Sequence, residues 1–194
     1  MRAVVGLGNP GPEYAATRHN AGFLVADALV AHWGFPPFRR GERARVSAGE
    51  VDGRPVRVLK PTTMMNRSGA ALASLRADPA FVPVTDLLIV VDDFNIPAGT
   101  FRLRPDGSAG GHNGLKSIEA VLQSQTYARL RIGIGPLPAG EPWEDFVLAP
   151  FSAPERTLWI SALSARIVAC VLYQVPKLSF SFTKVVKAAF ARSG

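Results

Sequence analysis

Leu87-Leu88-Ile89-Val90-Val91 is the most apolar run of this 194-residue chain, and its continuity constrains the fold more than any other feature. A strand with one wet face alternates polar and apolar side chains. An unbroken run like this one is covered on both faces, as in an interior strand of a sheet with helices packed on either side. The flanking sequence supplies the other elements. Arg2 to Leu7 reads as a buried strand ending in the turn chemistry of Asn9-Pro10-Gly11-Pro12. Thr17 to Trp33 carries apolar residues at helical spacing and stops at Gly34. Arg45 to Lys60 reads as a hairpin turning at Asp52-Gly53.

Thr62 to Leu75 reads as a helix capped by Thr62 or Thr63. Phe101 to Arg104, Leu130 to Ile134 and Asp145 to Val147 read as strands. A helix is expected near Asn113 to Leu122, after the glycine-rich loop Gly107 to Gly111, and a closing helix from Pro154 to about Leu172. Strands and helices interleave, and no repeat or linker interrupts them. The expectation is a single α/β domain over residues 1–194, with a central mixed, twisted β-sheet flanked by helices on both faces.

The net charge of +7 and pI near 10.2 point to an anionic partner. The surplus sits in the tail. Residues 1–155 hold 16 Lys/Arg against 15 Asp/Glu, whereas residues 156–194 hold six basic residues and no acid. One cysteine, Cys170, excludes an internal disulfide. It lies in an apolar run suited to packing, and three scattered histidines give no zinc-site spacing. Glycine and proline near the N-terminus precede any signal-peptide core, and the apolar stretch near the C-terminus is broken by Arg166, Pro176 and Lys177. A cytoplasmic protein without a membrane partner is expected.

Two glycine motifs invite nucleotide chemistry. Gly6-Leu7-Gly8-Asn9-Pro10-Gly11 matches the dinucleotide fingerprint, but Pro10 and Pro12 hold the chain extended where a helix must start, and the ribose-binding acid is missing. In Gly110-Gly111-His112-Asn113-Gly114-Leu115-Lys116-Ser117 the phosphate-loop step is interrupted by Leu115. That segment is either a surface loop or a site for a single phosphate at a helix start. A third pattern is dispersed. Asn9 and Asp92 end two apolar strands, His19-Asn20 opens the first helix, Asn66 follows Thr62-Thr63-Met64-Met65, and Asn113 opens a later helix. Ligand sites of open α/β sheets form at strand carboxyl ends. A histidine held by a carboxylate takes a proton from water, and side-chain amides hold a carbonyl or a developing oxyanion. No serine elbow is present, so direct attack by water on an ester or similar carbonyl fits best, with no metal and no cofactor required.

These residues fall within longer blocks. Val5 to Tyr14 followed by Thr17 to Gly22, Lys60 to Gly69, Asp92 to Gly99, and Gly107 to Lys116 with Arg129 to Gly135 resemble, in order, the motifs of bacterial-type peptidyl-tRNA hydrolases over about residues 1–150. The resemblance implies hydrolysis of the ester joining a peptide to the 3′ ribose of tRNA, by a monomeric, metal-independent enzyme. It implies His19 as general base on water, oriented by Asp92. Asn9 and Asn66 would position the 3′ end and peptide, Asn113 the water or peptide carbonyl, and Tyr14 and Met65 would line the site. It further implies Arg104, Lys116 and Arg131, with Arg102 beside them, against tRNA phosphate. Five basic residues (Arg102, Arg104, Lys116, Arg129, Arg131) place that face in the stretch carrying Asn113. His112 reads as support for its loop.

Two departures stand out. Phe94-Asn95 replaces the family's usual Leu-Asp, and residues 175–194 form an atypical tail without its acidic helical ending. A non-catalytic RNA-binding protein on the same scaffold is the alternative. Such a protein would not need His19, Asp92 and the three asparagines together.

Overall fold

The structure is a computed structural model that describes residues 1–158. Cys170, the remainder of the closing helix and the tail 175–194 lie outside the described residues. Seven strands form one sheet: β1 (Arg2–Gly6), β2 (Arg39–Arg40), β3 (Ala44–Val51), β4 (Arg54–Pro61), β5 (Leu87–Pro97), β6 (Phe101–Arg104) and β7 (Ala128–Gly135). Their order is β2-β3-β4-β1-β5-β7-β6. The inner four, β4, β1, β5 and β7, run parallel, and the outer strands are antiparallel to their neighbours. The sheet is therefore mixed, as expected.

Alternate residues of the apolar strands feed two cores. Val4, Leu88 and Val90 pack with Ala21, Val25 and Leu29 of α1 (Ala21–His32) and with Phe146 and Val147 of α5 (Trp143–Leu148). Val5, Leu87, Ile89 and Val91 face the other way. They meet Leu72 of the 3-10 segment Met65–Leu72, Leu75 of α2 (Ala73–Arg76), and Leu115 and Ile118 of α4 (Asn113–Leu122). Two short helices, α3 (Pro83–Asp86) and α6 (Ala153–Leu158), complete the described chain. Helices thus cover both faces, which is why the run 87–91 carries no polar residue.

The hairpin turns at Asp52-Gly53 with both residues at positive φ, the backbone of a tight two-residue turn. The fingerprint glycines serve packing. A side chain on Gly6 would fall on the Gly22 carbonyl, and one on Gly22 would fall on the backbone of Leu7 and the Val90 carbonyl. Helix α1 therefore lies directly against the ends of β1 and β5, and that contact aims its first turn at the site. Gly22→Ala is expected to destabilise the protein by about 1–3 kcal/mol, the usual cost of overpacking, measurable by denaturant titration.

Three expectations needed correction. Asp145 to Val147 is helical, within α5. A three-residue apolar pattern carries no period, and the Phe146 N–H closes a helical bond to the Pro142 carbonyl while Glu144 and Asp145 occupy the first turn, where negative charge suits a helix N-terminus. The helix expected from Thr17 begins as a separate 3-10 turn, Arg18–Asn20, before α1. Neither Thr62 nor Thr63 caps the next helical segment. Met64 is extended, the Thr63 hydroxyl donates to the Arg67 carbonyl, and the Met65 N–H finds its acceptor elsewhere.

Candidate active site

That acceptor is Asn9 Oδ1, 2.7 Å away. Asn9 leaves β1 in a loop whose conformation Asn20 fixes from both sides: Asn20 Oδ1 accepts from the Asn9 N–H at 2.7 Å, and Asn20 Nδ2 donates to the Asn9 carbonyl at 2.9 Å. The Asn9 side chain is thus pinned through its oxygen, which leaves its Nδ2 donors for another partner. Met65 is buried between this loop and α4, with its sulfur against Gly114. Asn66 is the second residue of the 3-10 segment and Asn113 the first of α4; both are exposed, and neither side-chain amide has a partner among the described residues. Tyr14, half-buried, sits in the turn between Asn9 and His19.

His19 and Asp92 meet in the interior, 7% and 2% exposed. His19 Nδ1 lies 3.1 and 3.0 Å from the two Asp92 carboxylate oxygens. Asp92 is the last residue but one of the regularly paired part of β5, which ends at Asp93, where a bulge between Asp93 and Pro97 breaks the register with β7. Bulges of this kind re-aim strand ends beside active sites. Burial opposes ionisation of Asp92, but the imidazoles of His19 and His112 overcome it through charge and hydrogen bonding and hold its carboxyl well below the usual carboxylate range. An ionised carboxylate only accepts, so His19 Nδ1 carries the proton and Nε2 presents its lone pair.

His112 has a larger place than loop support. Its Nδ1 accepts from the Gly114 and Leu115 N–H groups at 3.1 and 3.3 Å, capping α4, and its Nε2 lies 3.1 Å from Asp92 Oδ1. The cap requires a lone pair on Nδ1, so the neutral ring carries its proton on Nε2 and donates it to Asp92. The two histidines therefore hold opposite tautomers around one carboxylate, with ring centroids 5.0 Å apart. The sequence signal was its position immediately before Asn113, where a capping side chain belongs. The role of Asn20 had no local signal, because its partner is eleven residues away on another element.

His19, Asp92 and His112 are also close enough to be tested as a cation site. The donor set argues against one. Coordination through His112 Nε2 would move that ring's proton to Nδ1, where two backbone N–H groups already point.

The basic residues divide. Arg102, Arg104 and Lys116 are exposed. Arg131 is tied to Asp93 by Nε to Oδ2 at 2.8 Å, so a phosphate there would share it with a carboxylate. Arg129 cannot belong to the RNA face. It is 0% exposed, donates to the carbonyls of Gly107, Ser108 and Gln125, and lies over the Tyr127 ring. Its charge is spent fastening the glycine-rich loop to β7. Asn95 has a local reason as well: its side-chain amide donates to Asp93 Oδ1 at 3.2 Å, which an aspartate could not do.

Comparison with known proteins bears on this arrangement. The family model described as peptidyl-tRNA hydrolase matches residues 3–189, well past the blocks read from the sequence and into the tail. The peptidyl-tRNA hydrolase of Brevibacillus brevis is 40% identical over 173 residues, covering 89% of this chain and 91% of that one. That of Gemmatimonas aurantiaca is 45% identical over 161 residues, covering 81% and 85%. The crystal structure of peptidyl-tRNA hydrolase from Acinetobacter baumannii superposes with a TM-score of 0.83 at 34% identity, covering 91% of this chain and 89% of that one. Fold, order of motifs and similarity over nearly the whole length agree: the chain belongs to the peptidyl-tRNA hydrolase family.

Proposed function

We propose that this protein hydrolyses the ester between the peptide and the 3′ ribose of peptidyl-tRNA, with His19 as general base. The observation that carries the reading is the His19 to Asp92 contact, which leaves Nε2 of a buried, oriented imidazole as the free base. His19 Nε2 takes a proton from water as the water oxygen bonds to the ester carbonyl carbon. Asp92 stabilises the imidazolium so formed, and His112 keeps Asp92 aligned by its second hydrogen bond. The negative charge on the carbonyl oxygen is met by side-chain amide donors, for which Asn113 and the unpinned Nδ2 of Asn9 stand ready. Collapse breaks the bond to the ribose 3′ oxygen, which receives the proton back from His19. The products are the free peptide acid and tRNA.

Asn66, Tyr14 and Met65 shape the surface that receives the 3′ end and peptide. Arg102, Arg104 and Lys116 form the exposed basic face for tRNA phosphate, with Arg131 beside them shared between phosphate and Asp93. The chain is read as one domain that acts as a monomer in the cytoplasm, where its substrate arises. In support, the described residues share one sheet, and no helix among them is long and apolar enough to cross a membrane.

The direct test is release of the acyl-amino acid from a labelled N-acyl-aminoacyl-tRNA at neutral pH. Turnover indifferent to a chelator is expected. Failure to release product while tRNA still binds would leave the RNA-binding alternative. Lys116→Gln with Arg104→Gln is expected to weaken tRNA binding and to lower the slope of log affinity against log salt by roughly 1.5, because each phosphate contact releases counterions. An unchanged slope would move the RNA face elsewhere.

A further inference from the structure

On the far side of the sheet from Arg102 and Arg104 lies a second basic surface that the motifs do not include. Strand register places Arg40 directly opposite Arg45, and Arg45 directly opposite Lys60. Directly opposed residues share a sheet face, so three cations form one row across β2, β3 and β4, about 5 Å apart from strand to strand. Arg39 and Arg43 flank the row, and all four arginines are exposed. The acids nearby are few. Asp27 binds Lys60 Nζ at 2.5 Å, and Glu42 approaches Arg43 at 3.9 Å. Arg40 and Arg45 have no carboxylate partner among the described residues, and residues 159–194 contain no Asp or Glu side chain that could provide one.

Like charges placed directly opposite one another across strands are destabilising. Charged side chains on an edge strand do guard against pairing with another sheet. That role accounts for Arg39 and Arg40 on β2 but not for Arg45, which sits one strand inward and repeats the charge. A row of uncompensated guanidinium groups matches a chain of phosphates, because arginine binds each one through paired donors.

The row also leads into the site. Lys60 Nζ lies 5.6 Å from the Phe23 ring centroid, the Phe23 ring packs against Gly8, and Gly8 precedes Asn9. The backbone carbonyl of Arg43 accepts from the Thr62 N–H at 3.0 Å, at the start of the segment leading to Asn66.

We propose that this edge, centred on Arg40 and Arg45, is a second phosphate-binding surface for the tRNA portion of the substrate, so that tRNA is gripped on both sides of the site. The proposal rests on the peptidyl-tRNA reading above. Arg40→Gln with Arg45→Gln removes two exposed charges without touching the core or the catalytic residues, and thermal unfolding confirms that the variant folds. For uncharged tRNA, the expected result is weaker binding, with a salt slope lower by roughly 1.5. For N-acyl-aminoacyl-tRNA, KM should rise several-fold at unchanged kcat. A short substrate with the acyl-aminoacyl ester on a single terminal nucleotide should be cleaved as by the unsubstituted protein.

A tRNA salt slope and KM equal to those of the unsubstituted protein would overturn the proposal and leave an ordinary solvated edge. An equal rise in KM for the short substrate would overturn it too, placing the arginines at the ester. If the unsubstituted protein hydrolyses neither substrate, the hydrolase reading fails. The salt slope for uncharged tRNA then still decides whether this edge binds RNA.

Discussion

Replacing His19 by alanine is expected to lower turnover of an N-acyl-aminoacyl-tRNA by about a hundredfold to ten-thousandfold, with tRNA affinity little changed. General-base catalysis is worth that much, and no other group among the described residues can replace the base. His112 is the only other imidazole beside Asp92. Its Nδ1 lone pair is committed to the cap of α4, and its Nε2 proton to the carboxylate. The loss should fall on kcat, because His19 is a buried side chain held by Asp92, whereas the residues read as meeting tRNA phosphate, Arg102, Arg104 and Lys116, are exposed. Single-turnover kinetics with saturating enzyme would read the chemical step directly. Near-normal turnover would remove His19 from the reaction.

Asp92→Asn should cost nearly as much, for a reason of hydrogen-bond arithmetic. The carboxylate accepts from two imidazoles at once. An asparagine offers one acceptor oxygen and an NH2 group, so it satisfies one ring and confronts the other with a donor. If the NH2 faces His19, the ring turns to the tautomer whose Nε2 carries a proton, and the base is lost. A comparable aspartate-to-asparagine change behind a catalytic histidine in a serine protease costs about ten-thousandfold, and a loss of about a hundredfold to that size is expected here. Because the two residues act as one unit, His19→Ala combined with Asp92→Asn should be little worse than His19→Ala alone. Full additivity would show that Asp92 acts through something other than His19.

The same carboxylate predicts acid sensitivity. Its folded-state pKa is depressed below the unfolded value of about 3.9. Asp92 therefore contributes stability that is present above that value and is lost as pH falls toward the lower folded one. Asp92→Asn should flatten the decline in stability across that acidic range, as read by denaturant titration at several pH values.

Much of the architecture was legible from local pattern. The run 87–91, the Asp52-Gly53 hairpin and the helix 113–122 follow from burial on both faces, from a turn requiring positive φ, and from a glycine-rich loop that opens onto a helix start. Where the pattern was short it misled. Phe146-Val147 is an apolar pair in either a strand or a helix, and Pro142 with tertiary packing settled it as α5. At the site, Asn9, His19, Asp92 and Asn113 were visible as polar residues at strand ends and helix starts. The pairing of His19 with Asp92 came only through the family resemblance, and the partners of Asn9, which are Asn20 and the Met65 N–H, had no signal at all because they come from remote elements.

What the sequence determined by itself is the layered α/β plan and the family. Both reside in side-chain identity and in order along the chain, and neither needs coordinates. The tertiary structure alone decided which like residues do different work. Arg129 and Arg131 are two positions apart, yet one is sealed under the glycine-rich loop and the other paired with Asp93 near the surface. His19 and His112 are both imidazoles, yet one presents a lone pair to the site and the other is locked in the opposite tautomer by two backbone amides. Burial and hydrogen-bond partners set the charge and proton position of each group, and those partners are brought together only when the sheet closes.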